Sequence, residues 1–251
     1  MTDELVLSVI DGPIARLTLN APDRANVLSA AMMGALGKAL AQAAADEGVR
    51  VIVLGAAGRI FCAGHDLEEL RDGANGPGRE ALFAQCSALM MAIGACRAPV
   101  IARVQGAAVA AGCQLVASCD LAYASTTAKF AVPGINLGLF CSTPGVAVGR
   151  SIGRKAAMEL LLTGETVDAA RAAVLGLINR AVPAEELDAV IDATARVIAA
   201  KPPDSVALGK TAFGRQMEAP LAEAYAIASR AMIENLTFPD TQGGIETFLS
   251  R

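Results

Sequence analysis

The chain has no tryptophan, two tyrosines and one histidine, His65, in 251 residues. A single histidine cannot supply a multi-histidine metal centre. The six cysteines (Cys62, Cys86, Cys96, Cys113, Cys119, Cys141) lack the C-x-x-C spacing of a zinc or dithiol site. No metal is therefore expected. Cysteines standing singly among apolar neighbours read as reduced, buried thiols; Cys141 differs, because the stretch Phe-Cys-Ser-Thr-Pro-Gly around it is polar and could line a pocket. Basic stripes interleaved with aromatics are missing too, and the formal net charge is −4. That excludes nucleic acid as the expected partner. No apolar run approaches the ~20 residues of a membrane span, so no membrane partner is expected. Met1 leads through Thr-Asp-Glu directly into a strand pattern, which gives the expectation of a cytoplasmic protein without a signal or transit segment.

What the chain has is apolar substance, 54% of its residues, enough for one large core with an appendage. Leu5 to Ile10 and Ile14 to Leu19 flank Asp11-Gly12-Pro13 and predict a hairpin. Ser29 is a candidate N-cap for a helix to about Asp46, with a strand following from Val49 to Gly55. A glycine-punctuated loop spans Ala56 to Asp66, and a second, polar loop spans Gly73 to Gly78. A helix from Arg79 to Cys96 precedes a strand from Pro99 to Val104. Strands at Leu121 to Ala124 and Lys129 to Val132 complete an α/β pattern. Beyond Gly145 the spacing is almost wholly helical, with a short strand near Ile178 to Val182, and Lys201-Pro-Pro203 marks a break.

The run Gly106-Ala-Ala-Val-Ala-Ala-Gly-Cys-Gln-Leu-Val-Ala-Ser-Cys-Asp120 carries the most information. Small residues at a strand-to-helix passage let a ligand oxygen approach the free N–H groups of the first turn, at the positive end of the helix dipole. The turn Phe61-Cys-Ala-Gly-His-Asp66 also ends a strand. If the two strands are neighbours, the N–H groups of His65 and Ala111 face one oxygen, the geometry of an oxyanion hole. Close packing alone also accounts for Gly64 and Gly112, and spacing does not separate the two readings. Asp120 reads as an anchor for the next strand.

Phe-Cys-Ala-Gly-His-Asp-Leu, then Val-Gln-Gly-Ala-Ala-Val-Ala-Ala-Gly-Cys-Gln-Leu-Val-Ala-Ser-Cys-Asp, then Leu-Thr-Gly-Glu-Thr-Val-Asp-Ala-Ala-Arg resemble, in order and spacing, the enoyl-CoA hydratase/isomerase (crotonase) superfamily. Within it, Gly-His-Asp-Leu and Asn136-Leu-Gly-Leu-Phe-Cys-Ser-Thr-Pro-Gly145 are most similar to the enoyl-CoA hydratase domain-containing protein 3 subgroup. The resemblance implies an α/β spiral of stacked strand-strand-helix units over residues 1–200. Residues 201–251 would form a helical region that trimerises, as a homotrimer or a dimer of trimers. It implies an acyl-CoA ligand, with CoA as part of the substrate and no separate cofactor, and a lyase or isomerase label.

By motif position, the backbone N–H groups of His65 and Ala111 match the family's oxyanion pair. Arg24, Ala25, Ala63, Asp66 and Leu67 match positions that cradle the nucleotide and pantetheine. Asn136, Cys141, Ser142 and Gln114 are candidates for contacts to the acyl group.

The two catalytic glutamates of the family's hydratases fall on Gln114 and Gly134. Each general acid or base is worth roughly 10²- to 10⁴-fold, so efficient hydration is not expected. The His65 imidazole is left open among packing, ligand contact and proton transfer. Three functions follow: an enolate-stabilising enzyme of the hydratase/isomerase type, a decarboxylase of malonyl-type thioesters, and a non-catalytic acyl-CoA binder.

Overall fold

Two apolar-rich strands on either side of Gly12 make the first hairpin of the computed structural model, which describes residues 4–72 and 78–250. β1 (Val6–Asp11) and β2 (Ile14–Leu19) pair antiparallel, and Gly12 takes φ +54°, the left-handed turn that glycine adopts without strain. Ser29 caps α1 (Ala30–Ala45) by accepting the N–H of Met32, and Met32, Met33, Leu36, Leu40 and Ala43 turn inward at helical spacing.

From there strands arrive in pairs. β3 (Val51–Ala56) leads to β4 (Ile60–Cys62), followed by α2 (Leu67–Asp72) and α3 (Gly78–Ala95). β5 (Val100–Val104) leads to β6 (Ala107–Val109) and α4 (Ala111–Ser118). β7 (Leu121–Ser125) leads to β8 (Lys129–Ala131). Helices α5 (Ser142–Ser151) and α6 (Arg154–Thr163) come next, then β9 (Thr166–Asp168), α7 (Ala169–Leu175) and β10 (Arg180–Val182).

In these three pairs the first strand joins a sheet ordered β1-β2-β3-β5-β7-β10 and the second a smaller sheet ordered β4-β6-β8-β9, with β9 closing the smaller sheet and β10 the larger. Each circuit of chain therefore adds one strand to both sheets, a spiral. All pairings are parallel except β1 with β2 and β8 with β9.

β3 is buried at every position because both faces of the larger sheet are covered. Ile52 and Leu54 face the main core, while Val51 and Val53 pack with Ile101 and Tyr123 against Leu187 and Ile191 of α8 (Leu187–Ala199). The last three helices, α9 (Pro203–Met217), α10 (Leu221–Asn235) and α11 (Pro239–Leu249), bury only Ala224 among them.

Their polar anchor to the core is Lys210. Its ammonium donates to the carbonyls of Ile93 and Ala98 and lies 2.7 Å from Asp120, which also accepts the N–H of Val100. The pair is only partly shielded, since Lys210 is half-buried and Asp120 exposed. Lys210→Met is expected to lower unfolding free energy by about 1 kcal/mol, because water and the bond to Val100 still serve the Asp120 carboxylate. Urea unfolding checks the value.

Several elements differ from the sequence expectation. Ala107–Val109 is a short strand inside the run read as a turn before a helix, and α4 starts at Ala111. Helix α5 begins at Ser142, ahead of the expected change at Gly145, and β9 interrupts the helical region. Strands of three residues are too short to show a period. The loop expected at Gly73 to Gly78 falls, for residues 73–77, outside the described residues, and Gly78 opens α3.

Candidate active site

β4 and β6 pair in parallel, Ile60 opposite Ala107 and Cys62 opposite Ala108, so the turns that follow them emerge side by side. Two glycines set how closely they meet. A Cβ at Gly112 would stand 2.3 Å from the carbonyl oxygen of Cys62, and one at Gly64 would stand 3.0 Å from Ala110 Cβ and 3.4 Å from the nitrogen of Ala111. The close packing and the convergence of the two turns are thus one arrangement.

Leu28 bridges the first turn by donating its N–H to the carbonyl of Gly64. A parallel bridge bonds to the residues flanking its partner, which leaves the N–H of His65 on the edge away from Leu28. Ala111 is the first residue of α4, where N–H groups have no acceptor within the helix.

Ala110, between β6 and α4, has φ +51° and ψ −116°, a strained conformation for an L residue. Its N–H donates to Ala131 and its carbonyl accepts from Gln114, so the strain is held from both sides. Ala110→Gly is expected to stabilise the fold by about 1 kcal/mol, the relief of strain exceeding the entropy lost at glycine. A higher thermal midpoint checks this.

The two turns open onto a cavity of about 440 Å³. Ala63, His65, Leu67, Ala111, Gly134, Cys141 and Ser142 of the residues singled out in the sequence lie on its wall. Arg24, Ala25, Asp66, Gln114 and Asn136 do not. Arg24 and Asp66 bind each other at 2.7 Å, and Asp66 also accepts the N–H of Glu68. Ala25 receives the N–H of Ala63 on its carbonyl. Gln114 is buried, its Oε1 3.9 Å from Cys86 Sγ. Asn136 is exposed and lies against Gly164, away from the wall.

Sequence reasoning missed Leu70, Phe83, Leu139 and Phe140, apolar wall residues from α2, α3 and the turn before α5. The signal available in the sequence was the cluster Leu137, Leu139 and Phe140, large apolar residues crowded into a stretch punctuated by Gly134, Gly138 and Pro144.

Gly134 has no room for a side chain. A Cβ there would stand 2.3 Å from the carbonyl oxygen of Leu139 and 2.7 Å from Cys141 Sγ, and the Gly134 N–H donates to that sulphur at 3.3 Å. Burial raises the Cys141 thiol above its ordinary range, with the Gly134 bond opposing. The same cause pushes Cys62 and Cys113 to about 12. All six cysteines are free thiols, five of them buried.

His65 lies on the wall with Nδ1 3.3 Å from the carbonyl oxygen of Leu28 and its ring edge-on to Phe83 at 5.5 Å. Burial pulls its pKa below 6.5, while the bond to Leu28 and the charge of Glu69 oppose that shift. Among the described residues no group of three or more His, Cys, Asp or Glu is placed to hold a metal, and no helix is long and apolar enough to cross a membrane.

Comparison with known proteins matches residues 10–251 to the enoyl-CoA hydratase/isomerase family model. Enoyl-CoA hydratase domain-containing protein 3 of Rattus norvegicus is 45% identical over 95% of this chain and 79% of its own length. The Danio rerio protein of the same name is 43% identical over 100% of this chain and 86% of its own. An enoyl-CoA hydratase structure from Mycobacterium smegmatis superposes with a TM-score of 0.95 at 52% identity, covering 98% of this chain and 96% of that one. The human domain-containing protein 3 structure gives a TM-score of 0.95 at 42% identity, with 98% and 97% covered.

The spiral described above is therefore the crotonase fold. The cytoplasmic expectation is overturned, because five relatives at 43–45% identity are named mitochondrial and point to that compartment instead. A reading of the first few residues could not carry a statement about location. With a family match over nearly its whole length and a shared fold, the chain belongs to the enoyl-CoA hydratase/isomerase family.

Proposed function

We propose that the protein binds an acyl-CoA, grips its thioester carbonyl with the N–H groups of His65 and Ala111, and stabilises the derived enolate without hydrating it. Two fixed donors, one at the start of α4, suit an oxygen that gains charge because they need not reorganise as the charge develops. The observation that carries the reading is the filled space at Gly134. Hydration needs an acid and a base, and one of their two positions is occupied by the Leu139 carbonyl and the Cys141 sulphur. The other, Gln114, is an amide engaged behind the wall with Cys86. The reading needs no cofactor beyond the CoA of the substrate.

Calorimetric titration with acetyl-CoA and with its thioether analogue, which lacks the carbonyl oxygen, tests the grip. Binding at least tenfold weaker for the thioether is expected; equal binding contradicts the clamp.

One observation favours a second reading, decarboxylation of a malonyl-type thioester. Among the described residues, the cavity wall carries no Asp, Glu, Lys or Arg. A carboxylate held there unpaired is raised in energy relative to the neutral CO₂ it becomes, and its loss yields an enolate without a base. Release of CO₂ from malonyl- or methylmalonyl-CoA supports this reading. Thioester binding with no turnover leaves a non-catalytic binder.

Self-association as a trimer or dimer of trimers belongs to the same proposal. Phe213, Met217, Leu221, Tyr225, Ile233 and Phe248 stand exposed on α9 to α11, more apolar surface than three helices leave to water without a partner. A monomeric mass in solution contradicts it.

A further inference from the structure

We propose that β1 is a docking edge for a second copy of this chain: two β1 strands pair antiparallel about a twofold axis centred on Ser8, joining two of the larger sheets into one. The contact lies apart from α9 to α11, so it stands or falls independently of the self-association proposed for those helices.

β1 is the end strand of the larger sheet, and among the described residues no strand pairs with its outer side. Which of its backbone groups are open follows from the ladder. The N–H of Asn20 donates to the carbonyl of Leu5, so Leu5 and Asn20 form a hydrogen-bonded pair, and in an antiparallel ladder such pairs alternate with non-bonded ones. Leu7, Val9 and Asp11 therefore bond to β2. Val6, Ser8 and Ile10 turn their N–H and C=O groups outward, to the open side.

An open edge is ordinarily blunted by a lysine, a proline, a bulge or a covering element. β1 reads Val-Leu-Ser-Val-Ile-Asp, without lysine or proline, and its register with β2 runs unbroken over all six residues. Only Val6 is buried, while Leu7, Val9 and Ile10 are large apolar residues left exposed. The one charge is at the end, on Asp11.

What fits this edge is its own sequence, because the strand has the same apolar pattern in both directions from Ser8. Paired antiparallel on that centre, Ser8 faces Ser8, Val6 of one copy faces Ile10 of the other, and Leu7 faces Val9. Every apolar side chain meets another apolar one, the kind of cross-strand pair that stabilises a sheet. The open backbone groups coincide as well, so Val6 with Ile10 and Ser8 with Ser8 each exchange two N–H to C=O bonds. Asp11 falls opposite Leu5 and Glu4 opposite Gly12, so no like charges meet. Sliding the register by two residues sets Ile10 against Glu4 or Leu7 against Asp11. Sliding it by one brings open groups against groups already bonded to β2. The contact is isologous and closes with two copies, which removes the edge from both.

The experiment is the mass in solution by analytical ultracentrifugation, across micromolar concentrations, of the native protein and of Ser8→Pro. Because the Ser8 N–H faces outward, proline there removes a bond to the second copy and none to β2. The native mass is expected to be twice that of Ser8→Pro, whether the unit that doubles is one chain or a trimer. Leu7→Lys with Val9→Lys sets lysine opposite lysine and is expected to halve the mass, as is Leu7→Glu with Val9→Glu. An equimolar mixture of these two double variants is expected to restore the native mass, a readout that misfolded variants could not produce.

A native mass that persists in every variant, or a mixture that stays at half the native mass, overturns the proposal. A native trimer that Ser8→Pro leaves a trimer overturns it and leaves the α9 to α11 contact standing. A native dimer that Ser8→Pro converts to a monomer supports it and overturns that contact. A native monomer overturns both.

Discussion

Gly112→Ala is expected to abolish carbonyl recognition, reducing any enolate-dependent rate by roughly 10²- to 10³-fold, the effect of losing one oxyanion donor. The new methyl group would stand 2.3 Å from the carbonyl oxygen of Cys62 and 2.8 Å from its Cβ. Neither is the end of a flexible side chain, so the first turn of α4 must retreat from β4. The N–H of Ala111, one residue before, retreats with it. Donors act on an oxyanion at 2.7–3.1 Å, in a range where a shift of about 1 Å removes the bond. Overpacking also costs about 1–3 kcal/mol of stability. Gly37→Ala is the matched control: it lies inside α1, a Cβ there meets no atom within 4 Å, and the change should stabilise the helix by about 0.5–1 kcal/mol. Thermal unfolding and acetyl-CoA calorimetry on the two variants separate the site effect from the general effect of adding a methyl group.

Putting both family glutamates back, as Gln114→Glu with Gly134→Glu, is expected to produce no hydratase. A Cβ at Gly134 meets backbone at Leu139, so the side chain enters only if Leu139 to Cys141 opens, and that segment forms part of the cavity wall. Adding Cys141→Ala removes the sulphur but not the Leu139 carbonyl. At Gln114 the new carboxyl would be buried beside Cys86, where loss of hydration raises its pKa and holds it protonated. The measurement is crotonyl-CoA hydration by the double variant, expected to stay at background while the thermal midpoint falls by several degrees, as a loss of 1 kcal/mol or more implies. Recovery of hydration to within tenfold of an active hydratase contradicts this account of the wall.

The sequence was legible where chemistry is local. Ser29 followed by an apolar helical face and Gly12 between two apolar-rich strands each fix one element through a bond or a dihedral, and both stand where expected. The spiral was legible through ordered motifs. Periodicity alone could not find it, since β4, β6, β8, β9 and β10 have three residues each. His65 and Ala111 were marked by the small residues around them, and parallel pairing of β4 with β6 brings their turns together.

Side-chain direction was not legible. Motif position marked Asp66 and Arg24 for a ligand cradle without showing that they pair with each other. Gln114 turns to Cys86, and Asn136 lies against Gly164. Nor could sequence show that a side chain at Gly134 has no space, because that depends on a contact between Gly134 and a segment folded back over it, five to seven residues later.

The central claim is that the carbonyl grip is kept while the acid–base pair is gone. Its most direct measurement is the absorbance change of crotonyl-CoA at micromolar concentrations of the native protein, in a buffer where calorimetry shows the thioester bound. A rate indistinguishable from buffer is predicted. Clear hydration that survives Gln114→Ala would contradict the claim, since water would then be activated at a site whose wall holds neither glutamate.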